Sequence, residues 1–122
     1  MQIRDLYHGA NGDRILQMLH SGVFQPNADG ESFFSEGHFE SVLMHGPDFS
    51  RNASFAVKLR VTIPPTAKLK RGTTPGVADT LIISTTEPLE VEVLELYVRE
   101  ARSAVIRTVS GAHEIARYLS RQ

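Results

Sequence analysis

The stretch FAVKLRVTI, residues 55–63, decides the fold. Phe55, Val57, Leu59, Val61 and Ile63 alternate with Ala56, Lys58, Arg60 and Thr62. Successive strand residues face opposite sides, so this period of two predicts a half-buried strand. Pro64 and Pro65 stop it, because proline has no N–H to give to a ladder. Two more strands follow, over residues 80–84 and 89–98. In the second, Leu89, Val91 and Val93 share one face while Leu94, Leu96 and Val98 share the other. That slip predicts a bulge, or a strand buried on both faces at its far end. Residues 66–78 read as a loop carrying Lys68, Lys70 and Arg71.

Before residue 55 the pattern changes. Residues 3–8 read as a short strand. Asn11 suits a helix cap, with the helix over residues 12–21 and Asp13 well placed in its first turn. Ile15, Leu16, Leu19 and Val23 recur at helical spacing, and Gly22 is a stop. QPNADGE is a loop, residues 32–35 a brief strand with Phe33 and Phe34, and residues 36–45 a second short helix ended by Gly46-Pro47. At the other end, SGAHEIARYLSRQ reads as a helix capped by Ser110, with Ile115, Leu119 and Tyr118 inward. The order β-α-β-α-β, then β-rich, then α predicts a small α+β fold with an antiparallel or mixed sheet.

The chain has 122 residues, so one domain over 1–122 is expected, large enough to bury roughly two-thirds of its unfolded surface. A net charge of -1 argues against a general nucleic-acid or membrane-surface binder. The charge is uneven: residues 1–50 hold two basic and seven acidic residues, and residues 51–122 eleven and seven. The basic part could hold an anionic ligand, or simply carry scattered solvated charges. There is no cysteine, which excludes disulfides, zinc–thiolate sites and a thiol nucleophile. No apolar run approaches the ~20 residues of a membrane span, and MQIRDLYHG does not read as a signal peptide. A soluble, cytoplasmic protein with no membrane partner is the expectation.

Common catalytic motifs are missing from the sequence. There is no G-x-S-x-G elbow and no phosphate loop. The five histidines show no metal-ligand spacing, so no metal is expected. His20, His38 and His113 fall on predicted helices with neighbours that suggest exposure. Glu90 and Glu92 alternate along a strand and read as a solvated face. His8 stands apart, because it ends an apolar run and precedes Gly9 where the chain leaves the sheet. Taken alone it reads as a structural histidine bonded to a loop.

The segments LYHGA, ILQMLHSGVF, GESFFS, FESVLMH, FAVKLRVTI and ADTLIIS, in that order, together resemble the ADP-ribosyltransferase superfamily, in its poly(ADP-ribose) polymerase-like branch. The resemblance covers about residues 5–98. It implies a split sheet with short helices and NAD as substrate. His8 falls on the histidine expected to bond the adenosine-side ribose. Gly9 falls on the glycine whose backbone pairs with the nicotinamide carboxamide, where a side chain would obstruct the approach. Phe33 takes the aromatic position of the second strand, usually tyrosine. Ser41 takes the serine that bonds the nicotinamide carbonyl, and Met44 the place of a stacking tyrosine. Asp79 takes the catalytic glutamate's place, one methylene shorter, with Glu87 in reserve. Ala10 stands where serine or threonine is usual.

The activity implied is mono-ADP-ribosyl transfer: nicotinamide leaves NAD, and ADP-ribose passes to an unknown macromolecular acceptor, protein or nucleic acid. Water as acceptor would make the chain an NAD glycohydrolase. A 2′-phosphorylated RNA end would make it RNA 2′-phosphotransferase-like, although SFFSEG lacks the extra histidine and arginine motifs of that group. A non-catalytic module binding NAD or ADP-ribose fits the same pocket. A short transferase-like chain also suits a toxin or effector.

Overall fold

Residues 55–63 form the strand that their alternation predicts, β4 (Phe55–Ile63), in a computed structural model that describes residues 1–37, 55–74, 77–99 and 106–121. Its apolar set Phe55, Val57, Leu59, Val61 and Ile63 is buried, and Arg60 on the other face is exposed. On one side β4 pairs with β1 (Gln2–Ala10) along its whole length. On the other it pairs with β7 (Leu89–Arg99). Between β1 and β4 the chain builds α1 (Gly12–Ser21), β2 (Val23–Phe24) and β3 (Glu31–Ser35). After β4 come β5 (Lys68–Thr74), β6 (Val77–Ser84), β7, β8 (Ile106–Ser110) and α2 (Ala112–Ser120).

The described strands join in the order β2-β7-β4-β1-β3-β6-β5, with β8 also on β7. Each pairing is antiparallel, so the sheet has no mixed part among the described residues. One face carries the core: Leu6, Phe34, Leu59, Leu81, Ile83 and Leu96 meet Ile15 and Met18 of α1 and Ile115 and Leu119 of α2. Each such side chain contributes about 1.5–3 kcal/mol by leaving water. Tyr118 packs on this core half-buried, as the helical pattern predicts.

Local chemistry explains the ends of α1. The Asn11 side-chain oxygen accepts from Arg14 N–H at 2.9 Å, which satisfies one of the orphan donors of the first turn. Gly22 closes the helix at φ 71, and its N–H donates to Met18 O at 2.8 Å. Val23 leaves the helical pattern and starts β2.

The slip in β7 is a bulge, and the far end is buried on both faces as well. Lys58 pairs with Glu95 and Leu59 with Val93, so Leu94 is the extra residue. Its carbonyl accepts from Gly111 N–H at 3.0 Å, which ties the bulge to the start of α2. Beyond it, Leu96 faces the main core while Tyr97 packs with Ala56, Tyr7 and Ile106 on the opposite face.

Several expectations need correction. Residues 68–74 are not loop but the edge strand β5, whose Lys-Leu-Lys-Arg run shows no apolar period because both faces meet solvent. Ser110 does not cap α2. It ends β8, paired with Glu95, and Gly111 takes the cap position at φ 88 with no side-chain bond. β2 and β8 were not expected at all. The helix expected over residues 36–45 lies, from His38 on, outside the described residues. No helix among the described residues is long and apolar enough to cross a membrane.

Candidate functional site

The sheet narrows to a seam between β1 and β3. Their ladder holds one residue pair, Tyr7 with Ser35. Continued by one more step of two, it would set Gly9 opposite Phe33. Instead the His8 ring enters the seam, and its Nδ1 lies 2.9 Å from the Phe33 carbonyl. A carbonyl only accepts, so Nδ1 carries the proton and Nε2 of the neutral ring is an acceptor. The ring packs edge-on to Phe24, with centroids 4.7 Å apart, and tilted against Phe34 at 5.6 Å.

Those contacts fix the charge state. Burial among aromatic rings lowers the His8 pKa from 6.5 to about 4; the Phe33 bond opposes this, and the Arg14 guanidinium adds to it. Arg14 is placed for that, since its guanidinium carbon lies 5.0 Å above the Phe24 ring centroid. Between pH 6.5 and about 4 the unfolded chain binds a proton that the folded chain does not. The His8 contribution is therefore complete above pH 6.5 and is lost as the pH falls to about 4, roughly 3 kcal/mol in all. We expect urea unfolding of His8→Gln to lose that part of the pH slope. Parallel slopes in the two proteins would assign the titration elsewhere.

Asp79 lies two strands away, on β6. Tyr7, Ser35 and Thr80 form one cross-strand row, with β1 and β6 about 10 Å apart. His8 stands one residue past that row, and Asp79 one residue before its β6 member. Asp79 has φ 51, the one non-glycine residue with positive φ among those described. Aspartate tolerates this region better than most side chains. Its carbonyl accepts from Glu36 N–H at 2.9 Å. Its exposed carboxylate has no side-chain hydrogen bond or ion pair among the described residues.

An open cavity of about 460 Å³ surrounds it, lined by Glu36, Gly37, Arg71, Gly72, Asp79 and Thr80. Glu36 is held from two sides, by Arg4 and by Arg71, each at 3.2 Å. This clamp fixes the residue whose N–H holds Asp79. Gly37 follows, and a Cβ built there would stand 2.5 Å from Asp79 Oδ2. The glycine thus lets the carboxylate lie against the backbone. Thr80 is 3% exposed, and its Oγ1 has no hydrogen-bond partner among the described residues.

Of the residues that the resemblance singles out, the structure gathers His8, Gly9 and Phe33 at the seam and sets Asp79 on the next strand but one. Phe33 is 39% exposed, on the face opposite Phe34. Ser41 and Met44 lie outside the described residues. Glu87 lies in the bend beyond the far end of β6, so it shares no cavity with Asp79. Glu90 and Glu92 are exposed on β7, as are His20 on α1 and His113 on α2. The sequence alone did not single out Arg14, Glu36 or Gly37, and it named Arg71 only as part of a basic loop. Arg14 carried a signal, because a cation in the first turn opposes the helix dipole. It also lines a separate groove of about 810 Å³ with Asn11, Gln17 and Val23. No protein-family model, curated protein or solved structure matches the chain.

Proposed function

We propose that the chain is an NAD-dependent mono-ADP-ribosyltransferase. One observation carries the reading: the strands bearing His8, Phe33 and Asp79, far apart in sequence, are consecutive in the sheet as β1-β3-β6. Three of the segments that the resemblance rests on thereby lie on adjacent strands, with the Phe33 ring on the face opposite Phe34. A neutral His8 offers Nε2 to a ribose hydroxyl. Gly9 carries no side chain to obstruct a carboxamide approaching its backbone. Arg14, in the groove next to Phe24, faces a pyrophosphate by charge. Ser41 and Met44 would seat the nicotinamide ring.

In the reaction the ribose–nicotinamide C–N bond breaks, and nicotinamide departs with the bonding electrons. The anomeric carbon becomes oxocarbenium-like. Asp79 holds a ribose hydroxyl and stabilises that positive charge. A lone pair of the acceptor then forms the new bond, and its proton passes to solvent. A group placed in advance of such charge development contributes on the order of 3 kcal/mol. Asp79 is exposed, so water reaches the same carbon. Hydrolysis to free ADP-ribose is the second reading.

Incubation with labelled NAD separates the outcomes. Label on a macromolecule supports transfer, and free ADP-ribose supports hydrolysis. Binding of NAD by calorimetry with no nicotinamide released would leave a binding module and end both enzymatic readings. Gly37→Ala gives a finer test. Its Cβ forces the Asp79 carboxylate back by about 1 Å to ordinary contact distance. A displacement of that size costs about 100-fold in rate. We expect nicotinamide release to fall by about that factor, with the unfolding midpoint unchanged. An unaltered rate would mean that Asp79 needs no fixed position.

A further inference from the structure

β5 ends the sheet, and its outer edge pairs with no strand among the described residues. It begins Lys68-Leu69-Lys70-Arg71, a cationic run in a chain of net charge -1. Lys68 lies opposite Ser84 and Lys70 opposite Ile82, so both project from one face of the edge. Both are exposed, and neither reaches a carboxylate among the described residues. Arg71, opposite Leu81, projects from the other face into the cavity of Asp79. The edge therefore carries two lysines on one face and runs on toward the cavity of Asp79, which opens beside Arg71, itself paired with Glu36, on the other.

We propose that β5 docks single-stranded nucleic acid and brings it to Asp79 as the acceptor, the transfer step resting on the reading above. In that step a nucleophilic oxygen or nitrogen of the nucleic acid bonds to the anomeric carbon. The nicotinamide bond breaks, and the nucleophile's proton goes to solvent. Charge complementarity selects an anionic partner. An acidic peptide added as a further strand would need a regular ladder edge. The register of β5 shifts between Gly72 and Thr74, and its lysines blunt strand addition. Lys68 and Lys70 are two residues apart, about 6.6 Å along the strand, which suits successive phosphates of an extended chain.

The test is fluorescence anisotropy of a short, unstructured DNA oligonucleotide with the full chain, without NAD, as salt is raised. Two lysines on phosphates give a slope of about -1.4 in log affinity against log salt. The double variant Lys68→Glu, Lys70→Glu is expected to lose at least roughly tenfold in affinity, with an unchanged unfolding curve. Absent or salt-independent binding, an unaffected double variant, or capture of a poly-glutamate peptide while the oligonucleotide stays free would each overturn the proposal. A protein that binds the oligonucleotide but releases no nicotinamide keeps the docking surface and ends the transferase reading. Label reaching a protein acceptor while the oligonucleotide stays unbound does the opposite.

Discussion

Asp79→Asn is expected to lower nicotinamide release by roughly 100- to 1000-fold without moving the unfolding midpoint. Asparagine keeps the shape of the side chain and tolerates the φ of 51 that this position holds. It removes only the charge. The native carboxylate is exposed and takes no side-chain bond among the described residues, so folding loses no more than about 0.5 kcal/mol. Under the proposed reaction the transition state would lose more, because the negative group assigned to the oxocarbenium-like ribose is gone. A variant as active as the parent would end the assignment of Asp79. A variant that fails to fold would show that the charge holds the backbone at φ 51 rather than the substrate. The two results separate on a nicotinamide assay and a urea curve from the same preparations.

Strands that alternate between core and solvent were legible, and those without a buried face were not. Residues 55–63 announce β4 because every second side chain enters the core. Even the β7 bulge was visible, as a change of apolar parity at Leu94. β5 was invisible for the same physical reason: an edge strand rich in lysine has no inward set to count. β2 spans two residues, too short for any period. Ser110 looked like a cap because serine before a helix usually is one. Its backbone instead continues the β8 ladder to Glu95.

The site was legible only in part. Tyr7-His8-Gly9 reads as a strand end, whereas β1 runs on to Ala10 with His8 paired to Val57 and Gly9 to Ala56; short motifs in order suggested which later segments matter. Nothing in one dimension says that the His8 ring will replace a ladder pair at Phe33, or that Phe24 and Phe34 will hold it neutral. The clamp on Glu36 is likewise unreadable, since Arg4 and Arg71 come from the two ends of the β1-β3-β6-β5 half. Long-range pairs of this kind follow from register, and register follows from the whole sheet.

Phe34→Ala should cost about 3–5 kcal/mol, a large share of the 5–15 kcal/mol that holds a typical domain. Phe34 is 2% exposed and meets Phe24 with ring centroids 4.9 Å apart and His8 at 5.6 Å. It matters beyond its volume because of where it sits. Backbone pairing across the β1–β3 seam is limited to Tyr7 with Ser35, so side chains must join the two parts of the sheet. Removing the ring leaves a cavity at that joint and frees His8 to leave the Phe33 carbonyl. The neighbouring residue supplies the control. Phe33 points to the opposite face at 39% exposure, so Phe33→Ala should cost no more than about 1 kcal/mol. The two variants delete the same atoms one residue apart. Equal urea midpoints would mean that β3 does not present alternate faces to core and solvent. A wide gap, with NAD affinity lost in the Phe33 variant while its fold stays intact, would place one phenylalanine in the scaffold and the other at the ligand.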